Sequence, residues 1–311
     1  MADPITGFEV LLTRKVLVLG GTGMVGRMVH RVLSLSEGFA VNCTHRREPS
    51  DPFYLNAEDG REGLRRIIAH QGPFDFMINC IGVLVSEIDE RDHHSMRRAV
   101  AVNEKFPHDL AAAAGESRAS VIHLSTDGVF SGDAGICRED SPTDCNDVYG
   151  KSKRGGEVTA PCVLNLRCSV IGPDPDKKKG LLEWFRSQPR GAEVSGYIDH
   201  EWNGGTTLQF SELCSGLILR DSFDAIRSEA SVHHFCPNQA VSKYELLQLF
   251  ESVYKTGVTI KPVAGTRGPS SRLLDTRYAS LKEFYGYGRS MRRAVEELAT
   301  WETKNRDLER F

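Results

Sequence analysis

From Lys15 the chain runs through a short, unbroken apolar stretch, KVLVLGG, into a glycine-rich turn. It then sets Met24, Val25, Met28, Val29, Val32 and Leu33 at the spacing of one helix face. Strand, tight turn and helix are predicted in that order. The pattern recurs, with FAVNCTHR reading as strand, GREGLRRIIAHQ as helix, FDFMINCIG as strand, VNEKFPHDLAAAAGES as helix and ASVIHLST as strand. A helix carrying YGKSKRGGE and the apolar strand CVLNLRCSVIG follow. The strands are continuous apolar runs rather than alternating ones, which suits a parallel sheet covered on both faces. The pattern predicts an α/β fold, a doubly wound parallel-sheet domain of the Rossmann type over residues 1–172.

Beyond Gly172 the regular alternation stops. GPDPDKKKG reads as loop, LLEWFRSQ as helix, and PRGAEVSGYIDHEWNGGTTLQ is rich in glycine and turn residues. Helices are predicted at SELCSGLILRDSF, SKYELLQLFESVYK and SMRRAVEELATWETKNRDLERF, and a strand at VTIKPV. Residues 173–311 are expected to form mainly a smaller substrate-binding lobe over the carboxyl edge of the sheet, with some segments returning to the first domain. The ligand crevice is expected where the two meet.

Composition narrows the partners. Across 311 residues, 40% hydrophobic and 26% charged content is that of a globular chain, and a net charge of -3 gives no bulk reason to expect nucleic acid or an anionic membrane. The eight cysteines are scattered without a C-x-x-C pair, as for reduced thiols in a cytoplasm. No secretory signal is evident at the start, and no stretch approaches the roughly 20 apolar residues that span a bilayer. A cytoplasmic location is expected. His93 and His94 on a helix, and His233 and His234 on a strand, point apart within each pair, so no metal site is predicted.

The chemistry gathers at strand ends. Gly20, Gly23 and Gly26 occupy the first strand-to-helix turn, where a pyrophosphate can approach backbone only if no Cβ intervenes and where the helix N-terminus offers free N–H groups. At the end of the second strand, where an acidic residue would take ribose hydroxyls, the chain instead reads Thr44, His45, Arg46, Arg47. Two arginines there suit a 2′-phosphate, unless they are merely solvated, so NADPH is preferred over NADH. Ser125, Thr126 and Asp127 follow an apolar strand directly, and Tyr149 and Lys153 stand one helical turn apart on one face. Such a set supplies a hydroxyl to hold a carbonyl oxygen, a phenol to exchange a proton with it, and a cation to make the phenol more acidic.

The glycine turn, INCIG, Val102–Asn103, HLSTDGVFSG, VYGKSKRGGE and LNLRCSVIG together resemble the extended short-chain dehydrogenase/reductases, most closely the dTDP-4-dehydrorhamnose reductase branch. That resemblance implies roles residue by residue. Thr126 would hold a sugar carbonyl with Ser125 and Asp127 beside the reacting sugar. Tyr149 would be the proton donor, and Lys153 would bind the nicotinamide ribose. Thr22, Met24 and Val25 would join the three glycines in holding the dinucleotide. Asn56, Cys80, Ile81, Gly82 and Asn103 would complete its site. The implied reaction is NADPH-dependent reduction at C4 of a nucleotide-linked 4-keto-6-deoxyhexose in deoxysugar biosynthesis. Two features depart from the branch: Gly128 stands where a tyrosine is usual, and HEWNGGTTLQF lacks the usual proline-containing segment.

In the second lobe Arg267 and Arg272 are candidates to clamp a diphosphate, or belong to a solvated loop, and Trp202 and Asn203 line a sugar or base pocket or serve packing. The run Lys177 to Lys179 reads as solvated loop. Two other functions fit the same residues: a sugar-nucleotide epimerase, and a non-catalytic dinucleotide-binding regulatory subunit similar to the beta subunit of methionine adenosyltransferase. The apolar helices permit a homodimer.

Overall fold

In a computed structural model of the chain, residues 12–133, 135–266 and 270–306 are described. The repeating apolar runs become strands β1 (Arg14–Leu19), β2 (Phe39–Cys43), β3 (Phe76–Asn79), β4 (Ser120–Leu124) and β5 (Val163–Arg167). Between them run helices α1 (Met24–Ser34), α2 (Gly60–Gln71), α3 (His93–Val100), α4 (Phe106–Ser117) and α5 (Val148–Gly155). The sequence pattern predicts one helix from Val102 to Ser117. The structure instead inserts a π-helical turn, Ala101–Lys105, before α4. Pro107 lies four residues after Asn103 and has no N–H to give its carbonyl, so the α-helical ladder cannot continue there.

Past β5 come a short strand β6 (Val170–Ile171), helix α6 (Leu181–Arg186), and strands β7 (Glu193–Tyr197), β8 (His200–Trp202) and β9 (Gly205–Thr206). The stretch predicted as one helix, SELCSGLILRDSF, is two: α7 (Thr207–Leu219) and α8 (Phe223–Glu229), broken where Asp221 takes a positive φ of 47°. Helix α7 begins earlier than predicted because Thr206 and Gln209 form a reciprocal cap. Strand β10 (Val232–His234) follows, and then β11 (Val241–Ser242), α9 (Lys243–Tyr254), β12 (Thr259–Val263), β13 (Ser270–Ser271), α10 (Ala279–Tyr285) and α11 (Met291–Lys304).

The main sheet has six strands in the order β10-β5-β4-β3-β1-β2, every neighbouring pair parallel. One face is packed by Val25, Val29 and Leu33 of α1 with Phe210, Leu213 and Leu217 of α7, the other by Leu64 and Ile67 of α2 with Phe106 and Leu110 of α4. Segments from beyond residue 172 therefore complete the sheet and cover one face. A third core gathers Phe185, Trp202, Leu246, Phe250, Val295 and Leu298 in the second half of the chain. Among the described residues no helix is long and apolar enough to cross a membrane. The chain turns to opposite sides of β1 to form β2 and β3, which opens a crevice at the carboxyl ends of β1 and β3.

Candidate active site

Two adjoining cavities, about 250 Å³ and about 90 Å³, occupy that crevice. Gly23, Cys80, Ile81, Gly82 and Lys177 border both, so they form one continuous cleft with its waist at the start of α1. The glycines hold the turn in shape for different reasons. Gly20 has φ +84°, a conformation L side chains rarely adopt. A Cβ on Gly26 would stand 2.2 Å from the Gly20 carbonyl oxygen, so only glycine lets α1 start against the turn. At Gly23 the nearest atom would be 3.5 Å away, and the place of the missing Cβ opens on the cleft. Such a backbone-lined cradle fits a dinucleotide diphosphate.

Thr22, Gly20, Arg46 and Asn56 border the smaller cavity, and Met24 and Val25 the larger. Arg47, unlike Arg46, borders neither cavity; its guanidinium reaches Asp176 at 2.8 Å, a carboxylate that Arg27 of α1 also binds. Asn103 is fully buried beneath the cleft wall. Its amide accepts from the Val83 N–H at 2.8 Å and donates to the Val83 carbonyl at 3.0 Å and to Ser152 Oγ at 3.2 Å. It thus ties the loop after β3 to α5, outside the residues that border either cavity.

Ser125, Thr126, Tyr149 and Lys153 all border the larger cavity. Asp147 caps α5 by accepting from the Gly150 N–H at 2.7 Å, which sets Tyr149 and Lys153 in successive turns facing β4. The helix sits close because its glycines permit it: a Cβ on Gly150 would lie 2.4 Å from the Gly128 carbonyl oxygen, and one on Gly156 2.0 Å from that of Asn103. Lys153 Nζ donates to the Leu124 carbonyl at 2.6 Å. Burial pushes its ammonium down to about 8, against the opposing charge of Glu157. Burial pushes the Tyr149 phenol up to about 12, with a hydrogen bond to Thr126 and the charge of Arg272 acting the other way. Thr126 itself donates to Asp127 at 3.2 Å and accepts from the Gly128 N–H at 3.0 Å. Burial raises the Asp127 carboxyl, opposed by the charges of Arg272 and Lys243.

Gly128 leaves no gap in the wall. A Cβ there would meet Tyr149 Cε1 at 3.1 Å and Thr126 Oγ1 at 3.2 Å, so the phenol ring itself covers the position.

Sequence reasoning misses Glu157, whose side chain is 1% exposed. It accepts from Ser125 Oγ at 2.8 Å and from Arg167 Nε and Nη2 at 2.7 and 2.8 Å. It also misses Cys168 and Ser169, which border the larger cavity just past β5, and the close-approach role of the glycines in YGKSKRGG. Glycines inside a helical pattern were the available signal for the last. In the second half of the chain, Trp202 lies in a hydrophobic core with Lys243 Nζ 5.1 Å from its ring centroid. Asn203 brackets Leu274, donating to its carbonyl at 2.6 Å and accepting from its N–H at 3.1 Å. Neither borders the cleft. Arg272 lies near Asp127 and Tyr149, and Arg267 falls outside the described residues.

Residues 14–282 match the family model described as RmlD substrate binding domain. The methionine adenosyltransferase 2 subunit beta of Danio rerio is 27% identical over 242 residues, 75% of this chain and 72% of that protein. A dTDP-4-dehydrorhamnose reductase of Streptomyces griseus is 36% identical over 142 residues, 45% of this chain and 43% of that one. Among solved structures, the dTDP-4-dehydrorhamnose reductase from Bacillus anthracis str. Ames in complex with NADP aligns with a TM-score of 0.73 and 16% identity, covering 93% of this chain and all of that one. That last likeness is one of fold.

Proposed function

This chain belongs to the RmlD substrate binding domain family, and from that premise we propose that it is a nicotinamide-dinucleotide-dependent oxidoreductase that reduces the C4 keto group of a nucleotide-linked 4-keto-6-deoxyhexose, with NADPH as the preferred donor. The observation that carries the proposal is the convergence of Thr126, Tyr149 and Lys153 on a cavity that Gly23 of the glycine turn also borders. Relatives named as reductases support the same reaction class. Gly20, Gly23 and Gly82 would hold the dinucleotide backbone, Gly26 would let α1 start against the turn, and Arg46 would take the 2′-phosphate.

A reduced nicotinamide, when bound in the cleft, supplies the hydride. Tyr149 would turn its hydroxyl to the substrate carbonyl oxygen, and so would Thr126, giving up its bond to Asp127 to do so. With its phenol pushed up to about 12, Tyr149 carries its proton at neutral pH, the form that reduction needs. It passes that proton to the carbonyl oxygen as hydride arrives at carbon, an alkoxide being a stronger base than a phenolate. Lys153, fixed on the Leu124 carbonyl, sets a positive charge beside the phenolate that remains. Asp127 and Arg272 stand next to this group, behind the residues that border the cavity, and set the charge around Tyr149.

The test is optical consumption of NADPH by the purified chain with dTDP-, UDP- and GDP-linked 4-keto-6-deoxy sugars, repeated with NADH and with Tyr149→Phe. Turnover with one nucleotide, lost by about 100-fold or more in the variant, supports the reaction; its absence across the panel refutes it. A second reading has a specific observation behind it: a relative that spans 75% of this chain is named a methionine adenosyltransferase subunit, while two named as reductases span 45% and 55%. Dinucleotide binding without turnover on any sugar would favour that binding-subunit role.

A further inference from the structure

We propose that residues 174–180 form a strap across the dinucleotide cleft and that Lys177 on it takes up the diphosphate of the bound cofactor. The inference rests on the dinucleotide reading above and names a group that the glycine turn alone does not supply.

The strap is anchored on both sides of the crevice. On one side Asp176 is bound by Arg27 of α1 and by Arg47 beyond β2. On the other, Lys179 Nζ meets Glu87 in the loop after β3 at 3.0 Å. Between these anchors the backbone is shaped by Asp174, which is 4% exposed. Its carboxylate accepts from the Lys177 N–H at 3.2 Å and its carbonyl from the Lys178 N–H at 2.8 Å. Positive φ values at Lys178 (50°) and Gly180 (90°) turn the chain back toward α6.

The three lysines consequently have different fates. Lys179 is spent on Glu87, and Lys178 borders a separate depression with Glu183 and Arg186. Lys177 alone of the three borders both cavities, at the same waist as Gly23, Cys80, Ile81 and Gly82. A diphosphate seated at the glycine turn would therefore meet N–H groups on one side and the Lys177 ammonium on the other. Lysine acts in such places as a mobile point charge. Because the strap belongs to the chain beyond β6 while its anchors belong to the first domain, the contact would also couple cofactor binding to the seating of the second lobe.

Calorimetric titration of the full chain tests this with NADPH, NADH and adenosine 2′-phosphate as probes, comparing wild type, Lys177→Gln and Lys178→Gln. Both variants remove one charge from an exposed position, and melting curves should match wild type. Lys177→Gln is expected to weaken NADPH and NADH each about tenfold, to leave adenosine 2′-phosphate within about twofold, and Lys178→Gln to change none of them by more than that. Equal dinucleotide affinity in wild type and Lys177→Gln overturns the strap contact and leaves the dinucleotide reading standing. So does an equal loss in Lys178→Gln, which would mean a general charge effect, or an equal loss with adenosine 2′-phosphate, which has no diphosphate. Failure of wild type to bind either dinucleotide overturns both readings together.

Discussion

Replacing Glu157 by glutamine removes a negative charge from a place that water barely reaches. The carboxylate is 1% exposed and its partner Arg167 4%, joined by two hydrogen bonds of 2.7 and 2.8 Å. Arg154 Nη1 stands 3.6 Å away, and Lys153 also feels the charge. Glutamine keeps the shape and one acceptor oxygen, which in the place of Oε1 can still serve Ser125 and Arg167 Nε but leaves Arg167 Nη2 facing an amide that only donates. Removing one member of a buried ion pair typically costs about 3–5 kcal/mol. Arg167 would retain His234 Nε2 at 3.5 Å and the Phe130 ring 5.4 Å from its centroid, so the lower end, about 3 kcal/mol, is expected. Urea denaturation at neutral pH reads this as a lower midpoint at unchanged slope. Adding Arg167→Met should recover more than half of the loss, because the stranded cation goes with its partner. A loss below about 1 kcal/mol, or a double variant as unstable as the sum of the singles, would refute the claim that the pair is dry and mutually dependent.

The glycines of the first turn should separate by role. Gly26→Ala drives a Cβ into the Gly20 carbonyl and should cost more than about 2 kcal/mol in denaturation, whereas Gly23→Ala should leave stability within about 0.5 kcal/mol and weaken NADPH in a binding titration. With its ammonium pushed down to about 8, Lys153 is charged below that pH and neutral above it, so turnover should show an alkaline limb near pH 8; a flat profile to pH 10 would refute it. In Glu157→Gln the charge that raises the Lys153 value is gone, and that limb should move to lower pH. Gly128→Ala should lower kcat about tenfold with cofactor affinity unchanged, since its Cβ presses on the Tyr149 ring and on Thr126 Oγ1; kinetics and titration together check this.

What depends on short-range order is legible along the chain. Continuous apolar runs separated by helical spacing dictate a covered parallel sheet, since a strand buried on two faces can carry no polar side. Glycines in a strand-to-helix turn mark backbone too tight for side chains, and Tyr149 and Lys153 share a helix face by period alone. Tertiary structure decided what depends on residues distant in the chain. Arg47 is claimed by Asp176, 129 positions away, and so parts from Arg46. Asn103 spends its amide on Val83 and Ser152, so that it braces the cleft wall from beneath. Val232–His234 pairs with β5 to complete the sheet, after an interval with no trace of the earlier alternation. Glu157 and Lys177 look like ordinary surface charges in the sequence. Whether a charge is buried against an arginine or held over a cleft is a matter of which chain segments meet around it, and local periodicity carries no record of that.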